Sequence, residues 1–269
     1  MSGAILTLLD RPAAASTLLQ AASHLADLVG GAAVHVLVIR TPPEATIMPT
    51  EEVLTARRAE DIRAREKSRA AALAAAFEAW RPQAQHPADL SDVEAAAADV
   101  VAERGATADF IVAARPSDHP PGADLPAIRA ALFSTDRPVL LVPPGGAAAF
   151  GRCVAVAWRD DGRAVKAVLP ALRLLTAATA VHVLQGVRGE PASLTVPAVF
   201  LDHGVPAQMH VLPIGGGVFG QTLLQQAHAL GADVLVMGAY AHNPLRELMF
   251  GGVTRFMLQH ADLPVLMRH

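Results

Sequence analysis

The stretch ADVLVMGAYAHNPLRELMFGGVTRFMLQHADLPVLMRH, residues 232–269, decides the fold. It opens on Val234-Leu-Val-Met237, a short continuous apolar run closed by Gly238. Such a run reads as a parallel strand covered on both faces, because a half-exposed strand would alternate with polar residues. A loop follows. Gly251-Gly252 then opens a pattern in which Val253, Phe256, Met257 and Ala261 share one helical face. The first N–H groups of that helix lack intrahelical partners, and with the positive end of the helix dipole they suit an anion. Pro264-Val-Leu-Met267 is a second apolar run. The whole is a strand-loop-helix-strand unit of the kind that winds a parallel sheet.

The same unit occurs earlier in the chain. Ala108-Asp-Phe-Ile-Val-Ala lies on Ala232-Asp-Val-Leu-Val-Met, and Arg137-Pro-Val-Leu-Leu on Leu263-Pro-Val-Leu-Met, at offsets of 124 (108 to 232) and 126 (138 to 264) residues. Working outward, strands are expected at Ala4 to Leu9 and Val34 to Ile39, separated by a helix carrying Leu18, Leu19, Ala22, Leu25 and Leu28. A long helix from Thr50 to Trp80, a short strand at Ala88 to Leu90 and a helix from Ser91 to Gly105 follow. Ala108 to Ala113, a helix from Ala127 to Phe133 and Pro138 to Val142 complete the first half, and Pro143-Pro-Gly-Gly146 reads as a linker. The second half repeats the alternation. It has strands at Cys153 to Trp158, Ala180 to Leu184 and Gln208 to Leu212, with a helix carrying Val165, Val168, Leu172 and Leu175 after the first. Further helices are expected from Leu194 to His203 and Gly220 to Leu230. The expected class is α/β, two tandem doubly wound parallel-sheet domains over residues 1–146 and 147–269.

Composition narrows the functions. With 269 residues, 52% of them apolar, the chain can build the cores of two domains. A net charge of −3 and no lysine or arginine cluster argue against a nucleic-acid partner, the basic run near Arg57 being balanced by acids. The single cysteine, Cys153, excludes an internal disulfide and a multi-cysteine zinc cluster, and in an apolar strand it reads as an inert thiol. No charged leader precedes an apolar stretch, and no apolar run approaches the roughly 18–20 residues of a membrane span. A cytoplasmic protein with no membrane partner is the expectation. The 11 histidines show no His-x3-His spacing with an intervening glutamate, and Gly-x-Ser-x-Gly is absent. Neither a zinc protease nor a serine hydrolase has a starting point, and no catalytic nucleophile or base stands out.

The loop after Val234-Leu-Val-Met237 resembles that of the universal stress protein family, whose nucleotide-binding members carry Gly-x2-Gly-x9-Gly-(Ser/Thr) there. Gly238 and Gly251 fill the first and third glycine positions, while Ala241 stands at the second and Gly252 at the hydroxyl position. The resemblance extends over the whole chain as a tandem, two-domain form, with the adenine nucleotide alpha hydrolase-like fold of that family. It implies that the glycines wrap a nucleotide's ribose and phosphates and that Val183 lies near the adenine. The family's aspartate at the end of the first strand is replaced by Arg159, with Asp160 and Asp161 just after. Asp160 could take the aspartate's place by a one-residue shift, or Arg159 could meet phosphate. If the position of Ala241 requires a positive φ, alanine costs about 1–3 kcal/mol there; if it only requires a small side chain, alanine is tolerated.

His242 and Arg246 follow as potential phosphate donors, Val253 opens the helix beside Gly252, and Gly215-Gly-Gly217 offers a second glycine loop without a phosphate-loop pattern. In the first half Asp10 holds the aspartate position, but Ala114 replaces the first glycine and Arg115-Pro-Ser-Asp-His-Pro-Pro-Gly122 lacks the spacing. That half is expected to be degenerate for nucleotide and to serve structure or interaction. The resulting expectation is a stress-response sensor or regulator that binds ATP or a related adenine nucleotide, with Mg²⁺, in its second domain. A ligand-free assembly protein of the same fold is the alternative, and a nucleotide hydrolase a third. The resemblance further implies that the last strands of the two halves pair within the chain or across a homodimer.

Overall fold

The structure, a computed structural model, describes residues 3–46, 54–116, 125–146, 149–160, 162–189, 195–239 and 252–269. Ten strands form one sheet. Those of the first half are β1 (Gly3–Leu8), β2 (Ala32–Arg40), β3 (Ala88–Glu94), β4 (Phe110–Ala114) and β5 (Val139–Val142). Those of the second are β6 (Cys153–Trp158), β7 (Ala180–Val187), β8 (Gln208–Pro213), β9 (Val234–Gly238) and β10 (Val265–Arg268). Their spatial order is β3-β2-β1-β4-β5-β10-β9-β6-β7-β8. Neighbours within each half run parallel; β5 and β10, at the centre, run antiparallel with Leu140 opposite Leu266. Each half is thus a five-stranded sheet of the same order, and the two meet along their last strands.

Helices cover both faces. On one lie α1 (Pro12–Leu28), α2 (Ala56–Trp80), α5 (Arg163–Val168), α6 (Leu172–Ala177) and α7 (Ala198–Asp202). They pack on Ile5, Val34, Val36, Val112, Leu140, Val154, Val183 and Leu266. On the other lie α3 (Ala97–Gly105), α4 (Leu125–Ser134), α8 (Phe219–Ala229) and α9 (Gly252–His260), over Leu6, Leu37, Ile111, Val139, Leu235 and Val265. Strand residues alternate between these two cores, which is why the central strands are apolar throughout. Both cores run without a break from the first half into the second.

Several elements depart from the sequence expectations. Ser91 does not begin a helix: β3 continues to Glu94, and α3 starts at Ala97. β3 is an edge strand, so its residues alternate in exposure and carry charge, and His35 pairs with Asp89 while Arg40 pairs with Asp92 and Glu94 across it. The long helix starts at Ala56 rather than Thr50, with the Thr55 hydroxyl accepting the Arg58 N–H at 3.3 Å as its cap. The helix after β6 is broken at Leu169–Ala171, where Pro170 cannot donate a backbone hydrogen bond. The last-but-two helix of the second half is short, Ala198–Asp202, within the span expected from Leu194 to His203. Among the described residues no helix is long and apolar enough to cross a membrane.

Candidate functional site

In the second half the chain runs outward from β6 to β7 and β8, then returns to β9 on the other side of β6. The order therefore reverses between β6 and β9, and a crevice beyond their carboxyl ends is where this class of sheet binds ligands. β6 ends at Trp158, which is buried and meets Phe200 edge to face at 5.8 Å. Arg159 and Asp160 follow on the exposed turn, and Gly162, at φ 72°, makes the sharp entry to α5. β9 ends at the buried Gly238, in the register that sets Met237 beside Ala157. α9 begins at Gly252, which is exposed, and a Cβ placed on it would meet nothing within 4 Å. As at any helix start, the N–H groups of the first turn of α9 have no partners within the helix. Gly215, Gly216 and Gly217 lie exposed between β8 and α8, at the same end of the sheet, with the same freedom.

Ala241, His242, Arg246, Gly251 and Asp161 lie outside the described residues. Of the rest, Gly238, Gly252, Val253, Arg159 and Asp160 fall at this end of the sheet. Val183 does not. It is the fourth residue of β7, fully buried and paired with Val156 and Met209, and the strand continues to Val187. Among the described residues no group of three or more His, Cys, Asp or Glu could hold a metal ion.

At the corresponding end of the first half, side chains of the half itself bind the backbone beyond β1, β2 and β4. Arg69 reaches over from α2 and donates to the carbonyl oxygens of Asp10 at 2.9 Å and Ile39 at 2.5 Å. It also binds Glu66 at 2.6 Å. Burial pushes the Glu66 carboxyl up, but hydrogen bonds from Arg69 and the Thr41 N–H outweigh it and hold the group below its usual range. Arg11 pairs with Asp10 at 3.3 Å and donates to the Arg115 carbonyl at 2.7 Å. Beside α1 lies a cavity of about 290 Å³, lined by Arg11, Thr17, Ala114, Val142 and Gly145 among others.

Other polar groups acquire roles that the sequence pattern does not reveal. The aspartate of the repeated Ala-Asp pair clamps the start of each half. Asp233 accepts the N–H groups of Gly151, Arg152 and Cys153 at 2.7, 3.0 and 3.2 Å, and Asp109 accepts that of Ala4 at 2.8 Å. The repeat at 108 and 232 was the available signal. Burial and the nearby Asp233 push the Cys153 thiol up, and its S–H donates to the Leu230 carbonyl at 3.4 Å, both consistent with an inert cysteine. A cleft of about 640 Å³ opens between the halves at the opposite end of the sheet. Its arginines are engaged: Arg137 and Arg173 donate to the Ala106 and Val29 carbonyls just beyond α3 and α1, and Arg268 pairs with Asp136 at 3.4 Å. Helix dipoles and Asp136 thus offset these charges, and the cleft offers an anion no clear advantage.

The family model described as the universal stress protein family matches residues 206–269, which hold β8, α8, β9, α9 and β10. The likeness to that family in sequence thus lies in the C-terminal segment of the chain. The whole chain has the fold of solved tandem proteins of this class. A universal stress protein from Archaeoglobus fulgidus DSM 4304 is 14% identical and superposes with a TM-score of 0.66, over 98% of this chain and 95% of its own. A candidate universal stress protein from Pseudomonas aeruginosa UCBPP-PA14 is 19% identical, with a TM-score of 0.61 over 98% and 92%. A functionally unknown protein from Pseudomonas aeruginosa PAO1 is 18% identical, with a TM-score of 0.59 over 98% and 92%. No curated protein matches the sequence.

Proposed function

We propose that the chain is a cytoplasmic regulatory protein of the stress response that binds ATP or a related adenine nucleotide in its second half. The observation that carries this reading is the placement of the start of α9, at the exposed Gly252. It lies at the end of the sheet where the strand order reverses, within the segment that matches the family. The N–H groups at the start of α9, which have no partners within the helix, and the positive end of the helix would take the phosphates. Glycine at 252 supplies an N–H but no hydroxyl, and Arg159 stands where the family's aspartate would face the ribose. Affinity in the micromolar to millimolar range is expected, and hydrolysis is not part of the proposal.

Gly252→Asp tests it cleanly. Among the described residues the added side chain meets nothing within 4 Å of its Cβ, and a carboxylate in the first turn suits the helix dipole, so folding should be preserved while a phosphate is repelled. Calorimetry with Mg²⁺ and ATP should show saturable binding to the wild type and at least about tenfold weaker binding to the variant. Absence of binding to the wild type at millimolar ATP would overturn the reading and leave a ligand-free assembly protein.

A further inference from the structure

Arg115 follows β4 in the first half, and its counterpart after β9 is Ala239. The Arg115 N–H donates to the Val142 carbonyl at 2.7 Å, and the Ala239 N–H to the Arg268 carbonyl at 2.7 Å. At one position of the repeat the first half therefore carries a long cation and the second a methyl group. The arginine side chain crosses to the other half. Its Nη1 donates to the carbonyl oxygen of Leu258 at 3.2 Å and to that of Gln259, both in the last turn of α9. The backbone of Arg115 is held in turn by Arg11, which pairs with Asp10. A line of polar contacts thus runs from Asp10, the residue at the aspartate position of the first half, through Arg11 and Arg115 to α9.

The chemistry of this contact is that of a helix end. Carbonyls of the last turn have no intrahelical donor, and a guanidinium supplies donors together with a positive charge at the negative end of the dipole. With nine residues α9 is about 13 Å long, so a fixed last turn constrains the direction of the first. Its flank is fixed by α8 at Gly220, where a Cβ would lie 2.7 Å from that of Phe256.

We propose that Arg115 is a positioning residue through which the first half sets the direction of α9, and with it the N–H groups at Gly252 and Val253 that face the ligand crevice. The proposal rests on the nucleotide reading above and adds its regulation: affinity in the second half depends on contact with the first. The test compares full-length wild type, Arg115→Gln and Arg115→Lys in two measurements. Hydrogen exchange without nucleotide should show residues 252–260 exchanging about tenfold faster in Arg115→Gln while β6 and β7 stay protected. Calorimetry with Mg²⁺ and ATP should show Kd raised about 5- to 20-fold in Arg115→Gln, with Arg115→Lys intermediate because it keeps the charge without the fork. Unchanged exchange over 252–260 overturns the proposal, as does faster exchange with unaltered affinity. Should the wild type not bind ATP, the nucleotide reading falls and regulation with it, while exchange alone still decides whether Arg115 fixes α9. If Arg115→Gln also loses protection in β6 and β7, Arg115→Lys carries both comparisons.

Discussion

Asp233 shows how much one side chain can hold. Its carboxylate accepts three successive N–H groups where the chain enters β6, and truncation would leave them without acceptors at a partly buried strand start. Asp233→Ala should lower the unfolding free energy by about 1–3 kcal/mol, and Asp109→Ala by less, because Asp109 serves one N–H group; urea titration decides. His182 is a second case. On β7 it lies 3.0 Å from His210 of β8, ring nitrogen to ring nitrogen, and burial together with that neighbour lowers its pKa. A depressed histidine pKa means that, below the ordinary value near 6.5, the unfolded chain takes up more protons than the folded one. The contribution is therefore present above pH 6.5 and lost as pH falls. The thermal midpoint should drop as pH is lowered from about 7 to 5, and His182→Gln should show a smaller drop over the same range.

At the scale of elements, legibility followed burial. β4, β5, β9 and β10 are covered on both faces, so their apolar runs announce them, and the glycines closing β9 and opening α9 mark the crevice. β3 was only partly legible, because Ser91, Asp92 and Glu94 lie on an edge strand whose partners, including Arg40, are distant in sequence. The contact of Arg115 with α9 was hidden for the same reason: nothing local in Arg115-Pro-Ser-Asp points 143 residues onward to Leu258. The strand expected from Ala180 to Leu184 runs on to Val187, because its ladder to β8 continues past Leu184, and this leaves Val183 in mid-strand. The seam between β5 and β10 supplies a test of its own. Leu140 and Leu266 are register partners and both are buried. Each change to alanine should cost about 2–5 kcal/mol, and the double variant should depart from additivity by about 0.5–3 kcal/mol in a denaturation cycle.

At the scale of the whole molecule, the two cores that cross the seam leave no plane along which the halves separate cheaply. Side chains reinforce the continuity in both directions. Arg115 of the first half binds the end of α9, Arg173 of the second binds the carbonyl beyond α1, and His24 hydrogen-bonds the Phe150 backbone through Nε2. Unfolding of the full chain should therefore be a single cooperative transition, with calorimetric and van't Hoff enthalpies in agreement. Residues 1–146 expressed alone would expose the β5 edge with Leu140 and Val142, and light scattering should find self-association. The two-fold likeness of the halves has a last consequence. In an assembly of identical subunits every substitution appears at both symmetry-related places, so a residue cannot be changed in one copy and kept in the other. Here one gene encodes both copies in fixed one-to-one stoichiometry, and the first can carry Arg115 where the second carries Ala239.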